Sequence, residues 1–463
     1  MAIITKYLTF HTLNHAYTLL VNSLSGAVDI IDNNAKETIE SLQQGLHPEN
    51  ANDIDLITTL RMRGYIFESE GEELAVLQKY RLIDQSSNEK DDRVKFVICP
   101  TMACNLRCTY CFESHESRHD SRIMAVTQLD NIFQIIDQVV SERKPAIASI
   151  NLFGGEPLLP STHSINKKIF EHAAARKLSV YITTNGTHIR NYIELIKRYQ
   201  SDTQPRFQIT LDGVKEVHDR RRFRSDNTGT FEEICSGIDS LLAIGSKVDV
   251  RVNLDRENID HLKELIEFIA AKGWSSNENF YCDIAPVSDH HSKGSLPNLM
   301  PENEIMRKIG ELFPDYWDIE KFFRLLLFRV LHHINNVVDV RNKMDNFLRF
   351  HYCEANRLQF YVFCPDGYIY ACPESAGNEE CRIGTFDTKM ELSQEQIQKW
   401  QGRDVLRIPK CRNCKVALFC GGGCAMAAIN INNNIDDPVC NNAEELLAEY
   451  IQSMRRKIIS KYC

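Results

Sequence analysis

The chain has 463 residues, 43% hydrophobic and 25% charged, with a net charge of −9 at pH 7. Such a composition suits a globular protein of about three domains; no apolar run is long enough to cross a bilayer, and the lack of a long basic stretch argues against a general affinity for nucleic acid. The first residues lack the basic start, apolar core and cleavage site of an export signal, so a cytoplasmic location is expected, where the 16 cysteines serve better as metal ligands or catalytic thiols than as disulfides.

Residues 1–84 alternate apolar and polar side chains through YLTF and AYTLLVNSLSGAVDIID, with a hairpin expected around Ser23 to Gly26. Helical spacing follows in AKETIESLQQGL and DIDLITTLRMRGYIF, and together these segments predict a small winged-helix unit. QSSNEKDDR, residues 85–93, is polar and aperiodic and reads as a linker.

From residue 94 come six short runs rich in β-branched residues: VKFVIC, ASINLF, LSVYITT, RFQITL, KVDVRVN and NFYCDIA. Amphipathic stretches such as MAVTQLDNIFQIIDQVVSER and IDHLKELIEFIAAKG separate them. The alternation predicts an α/β unit over residues 94–310 with a parallel sheet, either open and doubly wound or a partial barrel. Residues 311–352 read mainly as a helical bridge. Residues 353–463 form a turn-rich, cysteine-dense unit that ends in the helix AEELLAEYIQSMRRKII.

Directly after the first strand and Pro100 stands Cys104-Asn-Leu-Arg-Cys108-Thr-Tyr-Cys111. Three thiolates on a four-iron cube leave one iron without a protein ligand, which suits binding and reducing a small molecule; an electron-transfer cluster or a zinc site would want a fourth ligand. The second strand ends in Gly154-Gly155-Glu156-Pro157, the third in Thr183-Thr184-Asn185-Gly186 and the fourth in Leu211-Asp212-Gly213.

On these residues the chain resembles the radical S-adenosylmethionine superfamily. The resemblance implies a partial (β/α)6 TIM-like barrel and a 4Fe-4S cluster on Cys104, Cys108 and Cys111, with Tyr110 as the aromatic residue before the last ligand. It also implies S-adenosylmethionine with its methionine end at Gly154, Gly155, Glu156 and Pro157 and its ribose near Asn185; Asp212 reads equally well as plain turn chemistry. Such an enzyme draws on an external one-electron reductant of flavodoxin or ferredoxin type and makes a 5′-deoxyadenosyl radical that abstracts hydrogen from a carbon. Cys99, Cys235 and Cys282 fall inside strand or helix patterns and read as core thiols.

The second cysteine group, Cys353, Cys372, Cys411, Cys414, Cys420, Cys424 and Cys440 with Gly367, resembles the SPASM domain. That implies two auxiliary 4Fe-4S clusters, and three in all: an outer one on Cys411, Cys414, Cys420 and Cys440, and an inner one on Cys353, Cys372 and Cys424. Cys364 and Cys381 are the candidates for a fourth inner ligand, and a zinc-ribbon tail is the competing reading.

A winged-helix unit ahead of such a barrel resembles the leader-recognition domain of ribosomal-peptide maturases; a structural cap or an unrelated helix-turn-helix is the plainer reading. The expected partner is a ribosomally made precursor peptide whose leader adds as a strand. An inner cluster with an open iron would take a substrate thiolate, so the expected product is a cysteine sulfur-to-carbon thioether of the sactipeptide or ranthipeptide type. The alternatives are an anaerobic sulfatase-maturing (formylglycine-forming) enzyme, a carbon-carbon crosslinking maturase and a non-catalytic iron-sulfur regulator. Sulfatase-maturing enzymes carry a carboxylate directly after the cysteine matching Cys372, where this chain has Pro373, with Glu374 one position on.

Overall fold

The computed structural model describes residues 2–45, 51–89, 93–111, 113, 121–289, 296–314, 319, 322–325, 327–338, 348–357 and 360–463. The chain opens with β1 (Ile3–Ile4), followed by β2 (Leu8–Thr12), β3 (Tyr17–Asn22) and β4 (Val28–Asp32), and the last three form an antiparallel sheet with β3 in the centre. Asn22 shapes the β3–β4 turn: its Oδ1 accepts from the backbone N–H of Leu24 at 2.9 Å, and Gly26 takes the left-handed conformation at φ 72°. Asp32 caps the helix Asn33–Gln43 by accepting from the Ala35 N–H at 2.8 Å. After the helix Ala51–Met62, β5 (Ile66–Phe67) returns antiparallel to β1. Leu8, Leu20, Ile31, Ile39, Leu60 and Ile66 give this unit a core of its own.

The helix Glu70–Glu89 runs through most of the segment that reads as a linker. Glu70, Glu72 and Glu73 in its first turn complement the positive end of the helix dipole. Its polar face is tied to the distant C-terminal region, through an ion pair from Arg81 to Asp404 and another from Arg357 to Asp84 at 3.3 Å. Those partners lie some 270 to 320 positions away, so no local pattern reveals them.

Six parallel strands then pair in chain order: β6 (Arg93–Ile98), β7 (Ile147–Leu152), β8 (Ser179–Thr184), β9 (Arg206–Thr210), β10 (Lys247–Leu254) and β11 (Phe280–Pro286). They coincide with the six runs read from the sequence. On β9, Phe207 and Ile209 are fully buried while Gln208 and Thr210 alternate with them and line a cavity. That cavity is lined both by the loop after β6, from Cys104 on, and by Pro286 at the end of β11, whose strands in a flat sheet would stand about 24 Å apart, which fits a sheet that curls. Cys99, Cys235 and Cys282 are buried in the apolar core around it.

The C-terminal region is not a separate layer. β12 (Phe360–Phe363) pairs in parallel with β6, Phe360 opposite Lys95, and the antiparallel strands β13 (Tyr368–Tyr370), β14 (Arg382–Thr385) and β15 (Glu391–Leu392) carry the sheet on to ten strands. A second apolar cluster joins the two ends of the chain: Tyr7, Leu24, Phe67 and Leu77 pack with Phe350, Val405, Ile408 and Leu418.

Candidate active site

The chemistry-bearing loops all leave the carboxyl ends of the parallel strands, where a barrel of this kind gathers its reactive groups. The loop after β6 is pinned to the segment after β9: the Arg107 N–H donates to the Phe223 carbonyl at 2.7 Å and the Thr109 N–H to that of Arg221 at 3.0 Å. Cys104, Cys108 and Cys111 thereby line one cavity of about 230 Å³ together with Tyr110, Gly154, Gly155, Asn185 and Arg222.

Gly154 and Gly155 allow the β7 loop to lie directly on the cysteine loop. A Cβ on Gly154, whose φ is 119°, would run into the Thr101 carbonyl oxygen, and one on Gly155 into those of Met102 and Ala103. Glu156 is fully buried and outside the cavity wall. Its carboxylate accepts from Thr184 Oγ1 at 2.6 Å and from the backbone N–H of Asn185 at 2.6 Å and Leu158 at 2.9 Å. Burial pushes this carboxyl up, against those three hydrogen bonds. Glu156 thus locks the β7 loop to the β8 loop, and Pro157 likewise stands behind the wall, its carbonyl accepting from Asn166 Nδ2 at 2.7 Å. Asn185 turns toward the cysteine loop, its Nδ2 donating to Asn105 Oδ1 at 2.8 Å and lying 3.9 Å from Cys104 Sγ.

Tyr110 is held from three sides. Its hydroxyl donates to Asp212 and accepts from Arg222 Nη1 at 2.8 Å and Asn253 Nδ2 at 3.2 Å, while the Arg221 guanidinium lies 4.8 Å from the ring centre. Asp212, itself 1% exposed, also accepts from the Asn253 N–H at 3.0 Å, so it braces the β9 and β10 ends rather than closing a simple turn. Sequence reasoning missed Arg221 and Arg222. The cluster DRRRFR was the only signal, and nothing local says that Arg222 faces the thiols.

Burial raises Cys104 well above the ordinary thiol range, and the nearby charge of Cys108 and Glu156 adds to the effect. A metal centre would relieve this by taking thiolates, and three thiols around a glycine-lined hollow fit a cluster with one open iron.

The C-terminal cysteines fall into two groups. Cys353, Cys372 and Cys424 form one group: burial is the larger cause of their raised thiols and pushes Cys353 up to about 11 and Cys424 up to about 12, while the charge of Cys424 adds to Cys353, that of Cys424 and Cys353 to Cys372, and that of Glu374 to Cys424. Cys411, Cys414, Cys420 and Cys440 interact in the same way as a second set, with Cys411 pushed up to about 12 and Cys420 to about 11, again mainly by burial. Cys364 joins neither set: its thiol hydrogen-bonds Cys99 in the barrel core. Cys381 is fully buried, with its Sγ donating to Met426 Sδ at 3.9 Å. Among the described residues no three His, Cys, Asp or Glu side chains stand at the spacing of a single metal ion. Arg403, fully buried, feels the charge of both sets through Cys424, Cys353 and Cys411, and donates to the carbonyls of Ile435 at 2.5 Å and Gly422 at 2.9 Å.

A second cavity of about 760 Å³ reaches Cys353, Cys372 and Cys424, and Arg251, Pro286, Ser288 and Glu374 line both cavities. The site near the strand ends and the inner cysteine set therefore share a wall. No helix among the described residues is long and apolar enough to cross a membrane.

Comparison with known proteins agrees with this geometry. The model of the Radical SAM superfamily matches residues 98–269. A cysteine-type anaerobic sulfatase-maturating enzyme of Clostridium novyi (strain NT) is 24% identical over 368 residues, covering 77% of this chain and 93% of the relative. The radical SAM cyclopropyl synthase TigE of Paramaledivibacter caminithermalis is 21% identical over 479 residues, covering 96% and 94%. Among solved structures, anSMEcpe with bound AdoMet and Cp18Cys peptide superposes with a TM-score of 0.60 at 16% identity, covering 80% of this chain and 98% of that one. Streptococcus suis SuiB bound to its precursor peptide SuiA gives 0.56 at 15% identity, covering 94% and 98%. At these identities the structural likenesses establish the fold.

Proposed function

We propose that this chain, a Radical SAM superfamily enzyme, is a peptide maturase that joins a cysteine sulfur of a ribosomally made precursor to a carbon of the same peptide. The observation that supports the reading is the shared wall, Arg251, Pro286, Ser288 and Glu374: a peptide residue held at the strand ends would lie next to the cavity that reaches Cys353, Cys372 and Cys424. Cys104, Cys108 and Cys111 would hold the first cluster, with S-adenosylmethionine against Gly154, Gly155 and Asn185. When bound, that pair supplies a radical able to abstract hydrogen from carbon. Cys411, Cys414, Cys420 and Cys440 would hold the outer auxiliary cluster. Cys353, Cys372 and Cys424 would hold the inner one and leave an iron open to a substrate thiolate, since Cys364 and Cys381 are engaged elsewhere. A flavodoxin- or ferredoxin-like protein would provide the electron.

The leader would add to β4. On β2, Gln452 of the C-terminal helix Ala443–Tyr462 donates to the Thr12 carbonyl at 2.9 Å; on β4 the comparable side-chain bond, from Arg63 Nη2 to the Val28 carbonyl, is longer at 3.4 Å. Formylglycine formation on a sulfatase is the second reading. It is favoured by Glu374, which faces both cavities although Pro373 occupies the position next to Cys372.

Co-expression with a cysteine-bearing peptide encoded beside the gene separates the two. Loss of two hydrogens per ring, with no loss of sulfur, is the expected mass change. An unaltered precursor, together with conversion of a sulfatase-derived cysteine peptide to its aldehyde, would establish the second reading instead.

A further inference from the structure

Among the described residues, six cations line the larger cavity, Arg93, Lys95, Arg251, Arg329, Arg349 and Arg357, against the carboxylates Glu302, Glu354 and Glu374. Two of the cations are neutralised by acids: Lys95 binds Glu354 at 2.6 Å and Arg357 binds Asp84 at 3.3 Å. Three others donate to uncharged acceptors: Arg251 to Asn253 Oδ1 at 2.8 Å, Arg329 to the Tyr352 carbonyl at 3.0 Å, and Arg349 to His332 Nδ1 at 2.5 Å. Burial, reinforced by the neighbouring charges of Arg329 and Arg357, presses Arg349 down to about 10. Surplus positive charge in a partly dehydrated wall is costly until an anion enters. Arg329 lies beside Cys353 and Cys424, and Arg349 feels the charge of Cys420, so both would face a cluster on one side. Arg251 stands at the far end, in the wall shared with the smaller cavity, where the inner cysteines do not account for it.

We propose that the larger cavity binds an acidic stretch of the peptide substrate, whose carboxylates pair with Arg251 and Arg349. The proposal rests on the peptide-maturase reading and names the substrate class that reading leaves open. Guanidinium forks suit carboxylates in this role, because two parallel N–H···O bonds fix direction as well as charge. Held in this way, the stretch would carry a neighbouring residue across the shared wall to the strand ends.

The test uses the full-length, cluster-loaded enzyme and two fluorescently labelled probe peptides, Gly-Glu-Ser-Glu-Cys-Glu-Gly and its counterpart with glutamine in place of glutamate. Anisotropy titration in about 0.05 M salt should give the glutamate peptide at least about tenfold tighter binding, and about 0.5 M salt should shrink that preference. Arg251→Gln and Arg349→Gln should each reduce it to under about threefold, while Arg349→Lys keeps part of it. Equal affinity for the two peptides in the unaltered enzyme overturns the proposal without reference to any variant. So does a preference that survives both glutamine substitutions, or displacement of the peptide by GTP at lower concentration than by its own unlabelled form. Release of 5′-deoxyadenosine by the reduced enzyme, measured alongside, reports separately on the radical reading, so that failure of one is distinguishable from failure of the other.

Discussion

Gly155 has no room for a methyl group, because the carbonyl oxygens of Met102 and Ala103 occupy the place of its Cβ. Gly155→Ala must therefore push the cysteine loop away from β7, at a cost of about 1–3 kcal/mol by analogy with other overpacked sites. Cofactor affinity should fall with little change in iron content, which equilibrium dialysis of S-adenosylmethionine and iron assay together check; unchanged affinity would mean that the glycine pair serves only the fold. The three cysteines of that loop predict the opposite pattern. Replacing Cys104, Cys108 and Cys111 by alanine should abolish 5′-deoxyadenosine release and remove the iron of about one cluster, since a cube without ligands is not retained. Normal cleavage by the triple variant under anaerobic reduction would sink the assignment. These positions stood out in the sequence by their spacing together with the family resemblance it carries. Arg222 and the bracing role of Glu156 were not, because each depends on a partner brought in by a different strand, Tyr110 for the one and Asn185 for the other.

Among the elements, the six parallel strands were readable because each is a short run rich in β-branched and aromatic residues set between longer stretches of helical spacing, and their apolar positions are buried. The helix Glu70–Glu89 was not read from the sequence: its end is polar and reads as linker, and Arg81 and Asp84 within it are held by ion pairs to residues far along the chain. The pairing of β12 with β6 was equally invisible, since a strand pattern does not name its neighbour. At the N-terminal sheet, β4 has β3 on one side only. A leader peptide added there should slow amide hydrogen exchange in Val28–Asp32 and leave Leu8–Thr12 unchanged; protection confined to β2 would move the leader to the other edge. On β2, burial lowers His11 to about 4, helped by the charge of Lys415 from the C-terminal region. The unfolded chain takes up a proton near 6.5 that the folded His11 refuses until about 4, so its contribution is full above 6.5 and is lost as the pH falls from 6.5 to 4. The loss amounts to at most about 3 kcal/mol. Urea midpoints at pH 7 and pH 4.5 should separate more in the natural protein than in His11→Gln, and equal separations would show that His11 titrates normally.

At the scale of the whole molecule the two ends of the chain are one body: Tyr7, Leu24 and Phe67 share a core with Val405, Ile408 and Leu418, and the ten-stranded sheet runs without a break from β11 to β15. The consequence for chemistry is that one member of the inner cysteine set, Cys372, stands just past β13 on the same sheet that carries the strand-end loops, β12 being in register with β6, while Cys424 caps the helix Ala425–Asn432 beside it, so that Cys372 is held rigidly with respect to those loops. That rigidity is what an oriented bond-forming step requires. A cluster held on that set would then report sensitively on the substrate. If Cys353, Cys372 and Cys424 leave one iron open, adding a cysteine-bearing precursor should change the electron paramagnetic resonance spectrum of that cluster, and a Cys→Ser precursor should change it less, because a thiolate binds iron far better than a hydroxyl does. Cys364→Ala and Cys381→Ala should leave the spectrum intact, since the first thiol pairs with Cys99 and the second packs on Met426. Destruction of the inner cluster by either substitution would mean that protein fills its fourth position, and the substrate sulfur would then have to meet the carbon radical without touching iron.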